Sequence, residues 1–123
     1  MNKVITTLMV AGSLLVGPLS ATAGEIAVIV KTTNSNFWQN VNKGANAAIA
    51  GQKEHTITFN GPASESAVAD QVNLVENAIN RGVSAIVLAP SDPDALSPVV
   101  KRAYESGIPV AIIDSALGEG AKG

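Results

Sequence analysis

The 123 residues contain no cysteine. That excludes a disulfide framework, a thiolate metal site and a cysteine nucleophile, although it does not fix the compartment. Charge is also sparse. Only 15% of residues are charged, against about 25% in an ordinary globular chain. Eight basic and ten acidic side chains leave a formal charge of −2. No basic stripe exists to track phosphates, so a nucleic-acid partner is excluded. With 46% hydrophobic residues, the chain is not a charge-rich disordered segment either. Histidine occurs once, at His55, and aromatic residues make up 3% of the chain. Two of those few aromatics are adjacent, Phe37 and Trp38.

One long apolar stretch is present, at the N-terminus. Met1-Asn2-Lys3 is followed by a mostly apolar run from Val4 to Leu19 and then by Ala21-Thr22-Ala23. A short basic start, an apolar middle and a small-x-small end read as a cleavable export signal over 1–23. A membrane anchor fits less well. It needs about 20 apolar residues, whereas this run is shorter and is diluted by Thr6, Thr7, Gly12, Ser13 and Gly17. No cysteine stands at the cleavage site for lipid attachment. The expectation is a soluble, exported, periplasmic chain beginning at Gly24.

From there the pattern alternates. Ile26-Ala27-Val28-Ile29-Val30-Lys31 is a short branched apolar run, suited to a strand buried on both faces of a parallel sheet. Ser35 or Asn36 is placed to cap a helix over 37–50, with Trp38, Val41, Ala45, Ala48 and Ile49 as its apolar stripe. A second strand is expected over 56–59, and a helix opened by Ser64 over 64–80. In that helix Val68, Val72, Val75 and Ile79 share one face, and Gly82 stops it. A third strand is expected over 85–88. Pro98 is unwelcome inside a helix but welcome at its first position. The third helix is therefore expected over 98–106, capped by Ser97, with a fourth strand over 109–113.

This βαβαβαβ order predicts an α/β fold, a doubly wound parallel sheet with right-handed crossovers. A flavodoxin-like strand order 2-1-3-4 would put the first helix on one sheet face and the second and third on the other. The fourth strand, apolar on both faces, would then be an open edge beside a partly uncovered face, and self-association through that face is expected. Ligands in such folds bind beyond the carboxyl ends of the strands. Those ends supply 31–37, 60–64, 90–92 and Asp114-Ser115.

The chemistry at those ends is limited. No glycine-rich phosphate cradle follows the first strand. His55 stands at the start of the second strand, the wrong end for a site, and reads as a surface residue. A nucleophile–base triad lacks its members. Asp92 and Asp94 suit a helix N-terminus better than a paired-carboxylate centre. No metal or cofactor is expected, and no catalysis. Polar side chains beside adjacent aromatics suit a neutral polyhydroxylated ligand, whose apolar C–H faces lie on rings and whose hydroxyls bond to carboxylates and amides. Neighbouring helical residues point about 100° apart, so one of Phe37 and Trp38 can face ligand while the other enters the core. Chemistry alone leaves both readings open.

The segment Ala27-Val28-Ile29-Val30-Lys31-Thr32-Thr33-Asn34-Ser35-Asn36-Phe37-Trp38 resembles the opening of periplasmic sugar-binding proteins of the ribose- and allose-binding type. These are type I receptors for ABC importers. Ala89-Pro90-Ser91-Asp92 and the run from Gly107 to Ser115 are similar to two further landmarks of that family. The resemblance implies binding and not catalysis, with two α/β lobes closing on a sugar at a hinge and a membrane permease as partner. It implies that Phe37 and Trp38 contact the sugar ring, that Lys31 is a polar contact of the allose type, and that Asp114 accepts sugar hydroxyls.

Four positions depart from the family pattern: Ser35 for asparagine, Asn36 for proline, Ala89 for the asparagine of ribose binders, and Ser115 for an arginine beside Asp114. Without that arginine an Asp–Arg fork on two hydroxyls is missing, which disfavours ribose and leaves another monosaccharide or a sugar alcohol. Family members also carry a second lobe. Residues 24–123 therefore read as an incomplete N-terminal lobe, unable to clamp ligand by itself. The competing reading is a small exported flavodoxin-like domain with an interaction or enzymatic role of its own.

Overall fold

A computed structural model describes residues 24–121. The export signal expected over 1–23 lies outside the described residues. Four strands alternate with three helices: β1 Gly24–Ile29, α1 Asn36–Ala48, β2 His55–Asn60, α2 Val68–Arg81, β3 Ala85–Leu88, α3 Pro93–Glu105 and β4 Val110–Ile112. A 3-10 turn, Glu119–Ala121, follows. All strand pairs are parallel and the order is β2-β1-β3-β4, as the sequence predicts.

Alternation along the strands divides the core in two. Ala27, Ile29, Ile86 and Leu88 point to the face covered by α2 and α3, where they meet Val75, Ala78, Leu96, Val100 and Ala103. Val28 and Val30 point to the other face, where Trp38 of α1 and Ala89 close a smaller cluster. The split follows from topology. The chain leaves β1 toward β2 in one direction and passes from β2 over to β3 and β4 in the other, so right-handed crossovers deposit helices on opposite faces. One helix cannot roof four strands. On the α1 side Val87 is only half-buried and Ala111, paired with it in register, is exposed. On the opposite face Ile86 and Leu88 are fully buried.

Helix starts differ from the sequence reading at two places. Ser64 does not open α2. Ala67 donates to the Ser64 carbonyl in a turn, and α2 begins at Val68 with no side-chain cap. Its end is as expected: Gly82 adopts the left-handed conformation at φ 69°, which glycine takes without a Cβ penalty.

The larger difference is α3, which starts at Pro93 rather than Pro98. Asp92 caps it by accepting from the amides of Asp94 (3.0 Å) and Ala95 (2.7 Å). Pro98 therefore sits inside the helix. An interior proline costs about 3 kcal/mol when it breaks a regular helix. Starting five residues earlier adds Leu96 to the buried stripe of Val99, Val100 and Ala103. Full burial of one leucine contributes about 1.5–3 kcal/mol, and the Asp92 cap adds about 1 more. Packing and capping together offset the proline.

Candidate functional site

The carboxyl ends of β1 and β4 bring Lys31 and Asp114 together. Lys31 follows β1 by two residues and Asp114 follows β4 by two, with β3 lying between the strands. Lys31 Nζ lies 2.7 Å from Asp114 Oδ2 and donates to Ser115 Oγ at 2.6 Å. The Ser115 hydroxyl donates to Asp114 Oδ2 at 3.2 Å, completing a three-member cluster. Lys31 and Asp114 both keep solvent access, with 19% and 34% of their side chains exposed. The Lys31 ammonium holds the Asp114 carboxyl below the usual carboxylate range. Burial opposes this shift, and the Ser115 hydroxyl adds a smaller push in the same direction as Lys31.

Backbone geometry aims the carboxylate. Asp114 has φ 66°, the one positive value at a non-glycine residue among the described residues. Ser115 N–H donates to the Ile113 carbonyl at 2.7 Å. A bond from i+2 to i around a residue of positive φ is a γ-turn of the uncommon kind. Aspartate tolerates this conformation better than most residues, at a cost of about 1–3 kcal/mol. Strain stored on a residue that also holds the site's anion is the pattern of a functional position.

The aromatic pair separates. Ser35 Oγ accepts from Trp38 N–H at 3.3 Å and starts α1. Trp38 is 3% exposed, against Val28, Val30 and Ala89. Phe37, one residue earlier, is 59% exposed. Their rings meet edge to face, with centroids 4.8 Å apart and planes at 84°. The four candidate residues thus form two pairs at one edge of the sheet, an ion pair and an aromatic pair. Trp38 stands behind Phe37 in the core.

The intervening loops are tied down. Asn34 Nδ2 donates to the Ala63 carbonyl at 2.8 Å, and Gln39 Nε2 to the Thr33 carbonyl at 2.9 Å. At Gly61 a Cβ would stand 2.9 Å from the Val30 carbonyl, so only glycine allows the β2 loop to approach β1 this closely. Ser91 follows β3, and its buried Oγ has no hydrogen-bond partner.

Sequence reasoning placed Ser115 at a strand end and noted the arginine it replaces, but did not name it as a partner of Lys31 and Asp114. It also missed Gln71, which is fully buried. Gln71 occupies the same face as Val68 and Val75, so a lone amide on an apolar helical stripe was the available signal. Asp92 and Asp94 sit at the N-terminus of α3, and His55 is exposed at the start of β2. Among the described residues no group of His, Asp or Glu side chains is placed to hold a metal ion. A cavity of about 430 Å³ opens at the opposite end of the sheet, around Glu25, Thr58, Arg81 and Ser84. The bidentate Arg81–Glu25 pair occupies its charged groups. Its wall includes Gly24, where residues 1–23 join, and it lies far from the strand ends that carry the cluster.

Comparison with known proteins identifies the family. A family model described as "Periplasmic binding protein domain" matches residues 26–123. The D-ribose/D-allose-binding protein of Pseudomonas aeruginosa is 40% identical over 108 residues, which is 80% of this chain and 33% of that protein. The crystal structure of an ABC transporter solute-binding protein from Agrobacterium vitis with bound D-fucose is 73% identical, with a TM-score of 0.79. The match covers 80% of this chain and 34% of that one. A solute-binding protein from Actinobacillus succinogenes with bound D-allose is 30% identical, with a TM-score of 0.73. The chain spans about a third of the length of these relatives. A four-stranded parallel sheet in the order 2-1-3-4 and a family match over nearly all the described residues lead to one assignment: the chain belongs to the periplasmic binding protein family.

Proposed function

We propose that this chain carries the first ligand-contacting portion of the sugar receptor of an ABC importer, with Lys31, Phe37 and Asp114 as sugar contacts and Trp38 backing the Phe37 ring from the core. The observation that carries the reading is the Lys31–Asp114–Ser115 cluster at the same end of the sheet as the exposed Phe37 ring. One cation and one anion cancel, so the cluster suits an uncharged ligand. It offers N–H donors from Lys31 and acceptor oxygens from Asp114, which together match neighbouring hydroxyls. The Phe37 face suits the C–H face of a pyranose ring. An arginine next to Asp114 is absent, and the Lys31 ammonium, arriving from β1, supplies the cation instead. The 73% identity to the D-fucose-bound structure favours a neutral hexose or deoxyhexose over ribose.

A monosaccharide in a closed site is buried over most of its surface. One edge of one sheet contacts it from one side, so the chain alone binds sugar weakly or not measurably. The rest of a complete receptor would supply the opposite wall and the hinge. An export signal over 1–23 would deliver the chain to the periplasm, where a membrane permease would receive ligand from the complete receptor. By itself, the chain leaves Val87 half-buried and Ala111 exposed at the edge strand β4. A second copy is the occupant available to that face, through edge pairing of β4.

The test is a chimera in which residues 24–121 replace the matching third of the Agrobacterium vitis protein. It should bind D-fucose by titration calorimetry, and Asp114→Ala should abolish that binding. A folded chimera whose calorimetric trace stays flat with D-fucose, D-allose and D-ribose would show the reading to be wrong.

A further inference from the structure

We propose that Gln71 is a positioning residue for the strand-end site, holding β1 and β3 apart where the sheet changes winding direction and thereby setting Lys31. Its side chain is fully buried and makes three hydrogen bonds. Nε2 donates to the Val30 carbonyl at 3.0 Å and to the Ala89 carbonyl at 2.8 Å. Oε1 accepts from Ser91 N–H at 2.8 Å.

These partners lie where the sheet stops. The bond from Ala89 N–H to the Ile29 carbonyl, 2.9 Å, still links β1 to β3. Beyond it the chains part, since β1 leads to α1 on one face and β3 to α3 on the other. The next carbonyls, Val30 and Ala89, both turn to the Gln71 amide. A buried carbonyl needs a donor, and at this switch point a helix side chain supplies two.

The positional consequence is specific. The Val30 carbonyl belongs to the peptide plane whose nitrogen is that of Lys31. Fixing it fixes where the Lys31 Cα leaves the sheet, and so the reach of Nζ to Asp114 and Ser115. On the other strand Gln71 holds the peptide planes on both sides of Pro90. One amide thus sets the spacing of two loops that border the candidate site. Both Nε2 protons are used, so no apolar residue of equal size can replace it.

The inference rests on the strand ends being the ligand site, but its test needs no sugar. Lys31 acetylation by acetic anhydride is followed by mass spectrometry on the full chain at submicromolar concentration. Lys43, Lys53 and Lys101 serve as internal references. Paired with Asp114 and Ser115, Lys31 should react more slowly than they do. In Gln71→Met its rate should rise about three- to ten-fold relative to the references, the scale of losing an ordinary hydrogen bond. Val75→Ala, which weakens the same buried face of α2 without touching either strand end, should lower the urea midpoint and leave Lys31 unchanged. An unchanged Lys31 rate in Gln71→Met, or an equal rise in Val75→Ala, overturns the proposal. Should Gln71→Met fail to fold, Gln71→Asn withdraws the amide by one methylene and is read in the same way. A chimera that binds no sugar would count against the function and leave this result standing.

Discussion

Lys31 and Asp114 meet at 2.7 Å across the end of β3, a strand that belongs to neither of them. The contact links β1 and β4 at the carboxyl end of the sheet, and it joins the opposite charges of the cluster. Asp114 titrates below the ordinary carboxylate range because of it. The folded-state pKa is depressed, so the stabilisation is present above the unfolded value of about 3.9. It is lost as pH falls through the folded value. The stability difference between wild type and Asp114→Asn should therefore be full at neutral pH and shrink below about pH 4. Urea midpoints at a series of pH values measure it. A difference that persists unchanged to pH 2 would mean that the pair is not an ion pair.

Phe37 and Trp38 should respond differently to truncation. Trp38→Ala removes a buried ring and should cost about 3–5 kcal/mol of stability. Phe37→Ala should cost less, about 0.5–1.5 kcal/mol, the scale of its edge-to-face contact with Trp38. In the D-fucose chimera the same Phe37 substitution should weaken binding by about 1–3 kcal/mol. Unchanged affinity would remove Phe37 from the site.

Pro98 is exposed inside α3 and buries nothing that alanine would lose. Pro98→Ala restores an N–H for the Asp94 carbonyl, offset by a looser unfolded chain worth about 0.4–1 kcal/mol. The net expectation is a gain of about 2 kcal/mol. Thermal unfolding checks it, and a loss of stability would mean that the helix starts later than Pro93.

Ala111 lies exposed on β4, one of the two edge strands of the sheet among the described residues. If β4 edges pair between copies, Ala111→Lys should lower concentration-dependent light scattering without lowering helix content, because an edge lysine blocks strand addition. Hydrophobic-dye binding should fall with it. Scattering equal to wild type would place self-association elsewhere.

The sequence by itself determined the order of elements, the parallel sheet and its strand order. Those follow from local patterns: branched apolar runs of strand length, a helical stripe of Val68, Val72, Val75 and Ile79, glycine stops, and crossovers of one hand. Lys31, Phe37, Trp38 and Asp114 were legible because each sits at a strand end or helix start that those patterns locate. What depends on distance in space was not. The start of α3 turned on whether burying Leu96 offsets an internal proline, a balance no local pattern contains. Which of two adjacent rings enters the core depended on how α1 rolls onto β1. Lys31 and Ser115 stand 84 positions apart in the chain, and only strand order makes them neighbours. Gln71 acquired its place because two strands part beneath α2, and a buried carbonyl with no strand partner must find its donor in three dimensions.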